Sequence, residues 1–373
     1  MKKIIIAAAV ALVSISANAQ PKPAQPEAEY KFTVVKENPI TSVKNQYRSS
    51  TCWCFSALGF LESEAIRIKN IKDTTLYPDF SEMFVVSHSY KDRAVKYVRT
   101  DGHINFAAGQ SAMPGLQPLP IHGELDATTK AYVEAIAKNP NRTLSTNWKK
   151  GFDAIVDSFL GETPETFEYN GKNYTPASYR DEMGIVPSDY VTLTSFTHHP
   201  FYTSFIIEIS DNWRWDSAYN IPLDEFMEVI YKGYTLAWGS DVSEKGFTRN
   251  GIGVLLDDVK ATTGSDQERW IGKAGEKKEV VAELPKEASV TQESRQEGFE
   301  NKTTTDDHGM QIFGVAKDQN GTNYFMVKNS WGTSSKYGGI WYCSDSFVRA
   351  KSMDVLVHKD ALSKDLKKKL GIK

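Results

Sequence analysis

The chain has 373 residues, 40% of them hydrophobic and 12% aromatic, an ordinary globular composition with enough length for two lobes. A formal charge of −3, with both signs interspersed, gives no electrostatic case for a nucleic-acid partner. No internal repeat and no metal-ligand spacing stands out, so neither a metal nor a cofactor is expected.

The N-terminus reads as an address. Lys2 and Lys3, the apolar run Ile4 to Val13 and Ala17-Asn18-Ala19 before Gln20 have the form of a bacterial-type secretory signal peptide over residues 1–19. This predicts a periplasmic or secreted protein that begins at Gln20. No cysteine follows the cleavage site to carry a lipid, and no later apolar run reaches the ~18 residues of a membrane span. Residues 20–30 are rich in Pro and polar side chains and read as a flexible lead-in.

In the run Gln46-Tyr47-Arg48-Ser49-Ser50-Thr51-Cys52-Trp53-Cys54-Phe55-Ser56, a polar turn ends in a thiol where an apolar helix begins, predicted from Cys52 to about Lys69. The free N–H groups of a helix start stabilise a thiolate, so Cys52 is the candidate nucleophile, with a lowered pKa. The side-chain amide of Gln46 and the Cys52 N–H are placed to hold an oxyanion. Cys54 lies about 200° around the helix from Cys52, which excludes a redox pair. Cys54 and Cys343 read as small buried thiols, with a bridge between them as the alternative.

Farther along, helical patterns cover Ala127–Asn139, Trp148–Leu160 and Ile221–Lys232, and Tyr169-Asn170-Gly171-Lys172 signals a hairpin. His198 and His199 are adjacent, poorly set to ligate one ion, and read as structural or surface residues. A thiol needs a base and the base an orienter. His308 opens a strand running to Val315; Lys317–Thr322, containing Asn320-Gly321, is a turn; and Tyr324–Asn329 is a second strand. Antiparallel pairing brings His308 and Asn329 to the same end, and Trp331 is placed to cover the hydrogen bond between them. His88, His103, His122 and His358 lack a matching orienter. Asp306 and Asp307 read as solvated loop charges.

The strings Gln46 to Ser56, His308-Gly309-Met310 and Asn329-Ser330-Trp331-Gly332 resemble the three active-site signatures of papain-like cysteine peptidases. Trp238-Gly239-Ser240-Asp241-Val242, Thr291 to Arg295 and the ending Asp345 to Val357 more closely resemble the bleomycin hydrolase and aminopeptidase C branch. Cys52 and His308 are 256 residues apart, against roughly 130–150 in papain itself.

The resemblance implies an α+β, two-lobed papain-like fold: a helical lobe over residues 31–185 with a helical insertion at about 114–183, a β-rich lobe over 186–358, and a C-terminal helix over 359–373. It implies peptide substrates, Cys-His-Asn catalysis through a thioester, and a homo-oligomer contacted through the insertion. It also points to Gly109 as a substrate-site residue, in the position of the family's Gly-Gly stretch; Trp331 beside the His308–Asn329 pair, and Trp238 and Asp241 at a predicted strand end after the Ile221–Lys232 helix, are the other substrate-site candidates. Ser50 stands where the family carries Gly, and Gly309 where it carries Ala. The family's C-terminal arm, whose carboxylate meets the substrate amine, looks truncated. Aminopeptidase action is therefore the first expectation, with an endopeptidase, a catalytically poor peptide-binding homologue or a related Cys-His acyltransferase or amidase as alternatives.

Overall fold

The computed structural model describes residues 30–106, 120–141, 143–257, 284 and 286–373. The expected signal peptide, the lead-in up to residue 29 and Gly109 lie outside the described residues. Tyr30, expected in the flexible lead-in, is instead packed: its ring stacks on Phe32 with centroids 5.5 Å apart and meets Tyr324 edge-on at 5.9 Å.

In chain order, strand β1 (Thr33–Glu37) precedes helices α1 (Cys52–Lys69), α2 (Glu82–Arg99), α3 (Pro120–Ala137) and α4 (Asn147–Leu160). Strands β2 (Phe167–Tyr169) and β3 (Lys172–Tyr174) form the expected hairpin. Asn170 and Gly171 both take positive φ at its turn, 50° and 73°, the backbone that a two-residue hairpin requires. Then follow the short helix Pro176–Glu182, β4 (Tyr190–Thr194), β5 (Ser204–Ile206), β6 (Ser217–Asn220), the helix Leu223–Tyr231, β7 (Leu236–Ser240), β8 (Phe247–Thr248) and β9 (Ile252–Gly253). The helix Gln292–Glu300, β10 (His308–Lys317), β11 (Asn323–Lys328), β12 (Ile340–Ser344), the helix Asp345–Lys351, β13 (Ser352–His358) and the helix Lys364–Leu370 complete the described chain.

One mixed sheet runs in the order β5-β6-β4-β13-β7-β10-β11-β12-β9-β8. The strand β10 changes neighbour along its length. His308–Ile312 pair with Ser240–Leu236 of β7, and after a bulge between Ile312 and Gly314 its far half pairs with β1. The start of β10, where the candidate base sits, is thus clamped between β7 and α1.

Two cores result, as an α+β, two-lobed architecture demands. Leu58 of α1, Val86, Tyr90, Ala94 and Tyr97 of α2, Leu125 and Val133 of α3 and Phe152 and Val156 of α4 form the helical core. The sheet, with the helices Leu223–Tyr231, Asp345–Lys351 and Lys364–Leu370, encloses the second. Helix α1 runs between the helical core and strands β10 and β7 of the sheet, and so buries Ser56, Glu62, Ser63 and Glu64 along with Leu58 and Phe60. Those polar groups meet the sheet: Ser56 Oγ donates to Met310 O at 2.5 Å, and Gln311 Nε2 donates to Ser63 Oγ at 2.7 Å. Gly59 keeps the approach close, since a Cβ there would stand 2.9 Å from Gln311 Oε1.

Candidate active site

Cys52 is the first residue of α1. Thr51, before it, makes no side-chain cap and the first turn carries no acidic residue; Cys54 N–H turns back to Thr51 O at 2.9 Å, which leaves the earlier amides of the turn for the site. The N–H groups of Trp53 and Gly309 both point at the sulfur. Gly309 permits this contact, because a Cβ there would stand 3.2 Å from Trp53 Cα and 3.3 Å from the Cys52 carbonyl carbon. The start of β10 therefore rests directly on the start of α1, with His308 beside the thiol.

His308 Nε2 lies 2.8 Å from Asn329 Oδ1. Ser330 N–H donates to the same oxygen at 2.7 Å, which fixes that atom as an acceptor. Nε2 therefore carries the ring proton, and Nδ1 is left as the basic lone pair. The Trp331 ring stacks on the imidazole with centroids 4.4 Å apart and planes 23° from parallel. It covers the bond, as the sequence leads one to expect.

Gln46 is buried beside this group. Its N–H donates to Ser330 O at 2.8 Å, and its Oε1 accepts from Ser330 Oγ at 2.5 Å. With the oxygen held, the Nε2 end of the amide remains the donor.

The expected lowering of the thiol pKa is reversed. Burial pushes Cys52 up to about 12, and the carboxylates of Asp306 and Asp211 push the same way against the two amide hydrogen bonds. Burial pushes His308 down to about 4, opposed by Asn329. Either group is costly to charge alone in this pocket. A proton passing from sulfur to Nδ1 charges both together, and the attraction between thiolate and imidazolium offsets much of that cost.

A cleft of about 480 Å³ opens over Cys52 and His308. Val85 on α2, Ile207 and Ile209 after β5, Ala237 on β7 and Leu356 on β13 give it apolar walls. Of Trp238 and Asp241, both expected to line the cleft, Trp238 borders it without offering its indole, and Asp241 is not among the described residues that line it. The Trp238 indole is 1% exposed, sits in the sheet core and donates to Ser352 Oγ at 2.7 Å. Alternation along β7 turns Ala237 and Gly239 toward the cleft instead. The Asp241 carboxylate accepts from Ser243 N–H and Thr305 N–H, each at 2.9 Å, and serves the loop.

Asp306 and Asp307 are not solvated loop charges. Both border the cleft. Asp307 accepts from Val242 N–H at 2.8 Å and Ser243 Oγ at 2.6 Å. Asp211 and Asp354 also line the cleft and have no counterpart in the sequence reading. Asp306 was legible, being two residues before His308 and so on the same side of an extended chain. Asp354 was not, because its place depends on the long-range pairing of β13 with β7.

Ser50 has φ 55°, so the loop does use the left-handed backbone there. All three cysteines are free thiols, with Cys54 and Cys343 buried in different cores. His198 Nε2 and His199 Nε2 converge on the carboxylate of Glu208 at 3.1 Å and 3.0 Å. Gln296 Oε1 accepts from Thr197 N–H, so its Nε2 donates to His198 Nδ1 at 3.0 Å. Contrary to the expectation that adjacent histidines are poorly set to share an ion, the three ligand atoms lie within 4.8 Å of one another; with Gln296 donating to Nδ1, His198 Nε2 carries its proton to Glu208 as a hydrogen bond. Among the described residues no helix is long and apolar enough to cross a membrane.

Residues 283–372 match the Peptidase C1-like family. Aminopeptidase G of Lactobacillus delbrueckii subsp. lactis is 23% identical over 387 residues, spanning 88% of this chain and 83% of the relative. Aminopeptidase C of Lactococcus lactis subsp. cremoris is 21% identical over 393 residues, spanning 90% and 84%. Among solved structures, PepW from Lactobacillus rhamnosis HN001 matches with a TM-score of 0.62 at 18% identity, over 91% of this chain and 84% of that one.

Proposed function

We propose that this chain, whose residues 283–372 match the Peptidase C1-like family, is a papain-like cysteine peptidase that hydrolyses peptide bonds through Cys52, His308 and Asn329 as an exported, aminopeptidase-like enzyme. The observation that carries the reading is the set of contacts at the two ends of His308: Asn329 Oδ1 at 2.8 Å from Nε2, and the Gly309 N–H on the Cys52 sulfur next door. Proton transfer from Cys52 to His308 Nδ1 frees the thiolate to attack the substrate carbonyl carbon. The Cys52 N–H and Gln46 Nε2 stabilise the oxyanion. Collapse of the tetrahedral species breaks the C–N bond, with the proton passing from His308 to the leaving amine. His308 then takes a proton from water, whose oxygen attacks the thioester and releases the acid and the thiol. Asn329 keeps Nδ1 directed at the sulfur throughout.

Export is inferred from residues 1–19, and the aminopeptidase preference from the names of the relatives. The test is turnover, under reducing conditions, of fluorogenic aminoacyl amides and their N-blocked counterparts, with Cys52→Ala and His308→Ala as controls. The reading requires Cys52-dependent release and stoichiometric labelling of Cys52 by a thiol-directed peptidase inhibitor. Release from unblocked substrates alone makes the enzyme an aminopeptidase, and release from blocked ones an endopeptidase. Turnover that persists in Cys52→Ala would sink the reading. N-terminal sequencing of the exported protein checks the start at Gln20.

A further inference from the structure

Six aspartates and one arginine line the cleft, and four of the aspartates have partners or water. Asp211 pairs with Arg93, Asp216 stands 3.4 Å from Arg214, Asp307 accepts the hydrogen bonds of Val242 and Ser243, and Asp92 is exposed. Two carboxyl groups remain. Among the described residues Asp306 meets no donor and no cation, and Asp354 meets only the Gly239 N–H.

The strand register brings these two groups to the reacting centre. Asp354 on β13 pairs with Gly239 on β7, which pairs with Gly309 on β10. The Gly309 N–H touches the Cys52 sulfur. Asp306 lies in the loop two residues before His308, where β10 begins. Gly239 leaves the floor between them without a side chain: the point a Cβ would occupy is 2.8 Å from Asp354 Oδ1 and 3.8 Å from Asp306 Oδ1.

We propose that Asp306 and Asp354, converging over the bare floor at Gly239, form a cation pocket that binds an ammonium or guanidinium group carried by the substrate on the acyl side of the scissile bond. The proposal rests on the peptidase reading for its orientation, and names the chemistry that the cleft selects. Two sources carry that chemistry: the free α-amine of a peptide N-terminus, and a Lys or Arg side chain just before the cleaved bond.

The energetics favour such an occupant. Burial, with Asp354, Asp211 and Asp241 adding repulsion, pushes Asp306 up to about 8. Burial pushes Asp354 up to about 6. Asp306 and Asp354 are half-buried at the cleft wall, and carboxyl groups in that position without a counter-ion gain from one. The Asp306 carboxylate also raises the Cys52 pKa, so a cation bound there removes an obstacle to thiolate formation. Occupancy would speed acylation as well as binding. Among the described residues none after Leu356 borders the cleft, and the helix Lys364–Leu370 packs beside Glu225 and Lys232. The two carboxyl groups come from the loop that enters β10 and from β13.

The experiment is calorimetric titration of the full mature chain carrying Cys52→Ala with one neutral peptide amide in three forms: free amine, N-acetylated, and N-acetylated with lysine before the scissile bond. The same titrations are repeated with Asp354→Asn, Asp306→Asn and Gly239→Ala added singly. The pocket predicts that at least one cationic form binds about tenfold to a hundredfold more tightly than the neutral acetylated form, and that Asp354→Asn and Gly239→Ala each remove most of that difference. Preference for the free amine identifies the α-amine as the ligand, and preference for the acetylated lysine peptide identifies a basic side chain. Equal binding of all three forms, unchanged by the substitutions, would overturn the proposal. Charge-dependent binding together with no Cys52-dependent turnover in the unmutated chain would instead overturn the peptidase reading and leave the pocket standing.

Discussion

Asn329 and Ser330 together decide which nitrogen of His308 is basic, because one amide oxygen takes both the Nε2 proton at 2.8 Å and the Ser330 N–H at 2.7 Å. Asn329→Ala removes the acceptor, lets the ring choose either tautomer, and leaves the cleft walls untouched. The expected result is a kcat lowered about tenfold to a hundredfold with KM nearly unchanged, read from initial rates on an aminoacyl amide. Gln46→Ala removes an oxyanion donor and should lower kcat by about 10²–10³, again with little change in KM. Ser50 tests stability at the same scale. A serine held at φ 55° pays roughly 1 kcal/mol that glycine avoids. Part of that gain is lost to the freer unfolded glycine, so Ser50→Gly should raise the melting temperature by about 1–2 °C and keep activity. A lower melting temperature would show that the Ser50 side chain holds the loop.

The element that best tests the packing of the second lobe is the helix Gln292–Glu300, which hangs on Arg295. That guanidinium is 1% exposed and, among the described residues, has no carboxylate partner. It donates to Ser195 O at 2.8 Å and Arg349 O at 2.9 Å, and lies over the rings of Phe196 and Phe226. Burial lowers its pKa to about 9, so the charge is held by carbonyl dipoles and aromatic faces alone. Arg295→Ala would strand those carbonyls and open a cavity, costing about 3–5 kcal/mol, measurable by chemical denaturation. Lysine, without the planar fork, should recover little of it. Local elements such as α1, the Asn170-Gly171 hairpin and the β10–β11 hairpin were legible because periodicity, turn residues and helix-start chemistry lie within a few residues of one another. Cys52, His308, Asn329, Gln46 and Trp331 stood out for the same reason. Trp238 misled because alternation tells which residues share a face and not which face meets the cleft. Asp354 escaped because a strand pairing across more than a hundred residues carries no local signal.

At the scale of the whole molecule the cleft carboxyls link function to stability. The folded chain holds Asp354 at about 6 and Asp306 at about 8, whereas the unfolded chain releases both protons near 4. A carboxyl raised on folding contributes stability that is full below its unfolded pKa and is lost as pH rises through its folded one. The Asp354 contribution thus disappears by about pH 6, and the Asp306 contribution continues to fall up to about pH 8. His308, lowered to about 4, works in the opposite sense: it costs stability as pH falls below its unfolded value near 6.5. Between about pH 6.5 and 8 the Asp306 proton is the main term among these groups, worth about 1–2 kcal/mol across the window. Asp354, Asp211, Asp241 and Cys52 all face that carboxyl with negative or neutral groups, so nothing there reverses the sign. The melting temperature of the wild-type chain should therefore fall by a few degrees from pH 6.5 to 8.5, while that of Asp306→Asn stays flat and lies above it at the alkaline end. In proteins that also carry Cys52→Ala, so that the ligand is not consumed, the peptide with lysine before the scissile bond or the free-amine peptide, whichever binds more tightly, should raise the melting temperature at high pH and leave Asp306→Asn unmoved. Parallel profiles for the two proteins would mean that Asp306 is ionised throughout and that the cleft is not held in tension for a cation.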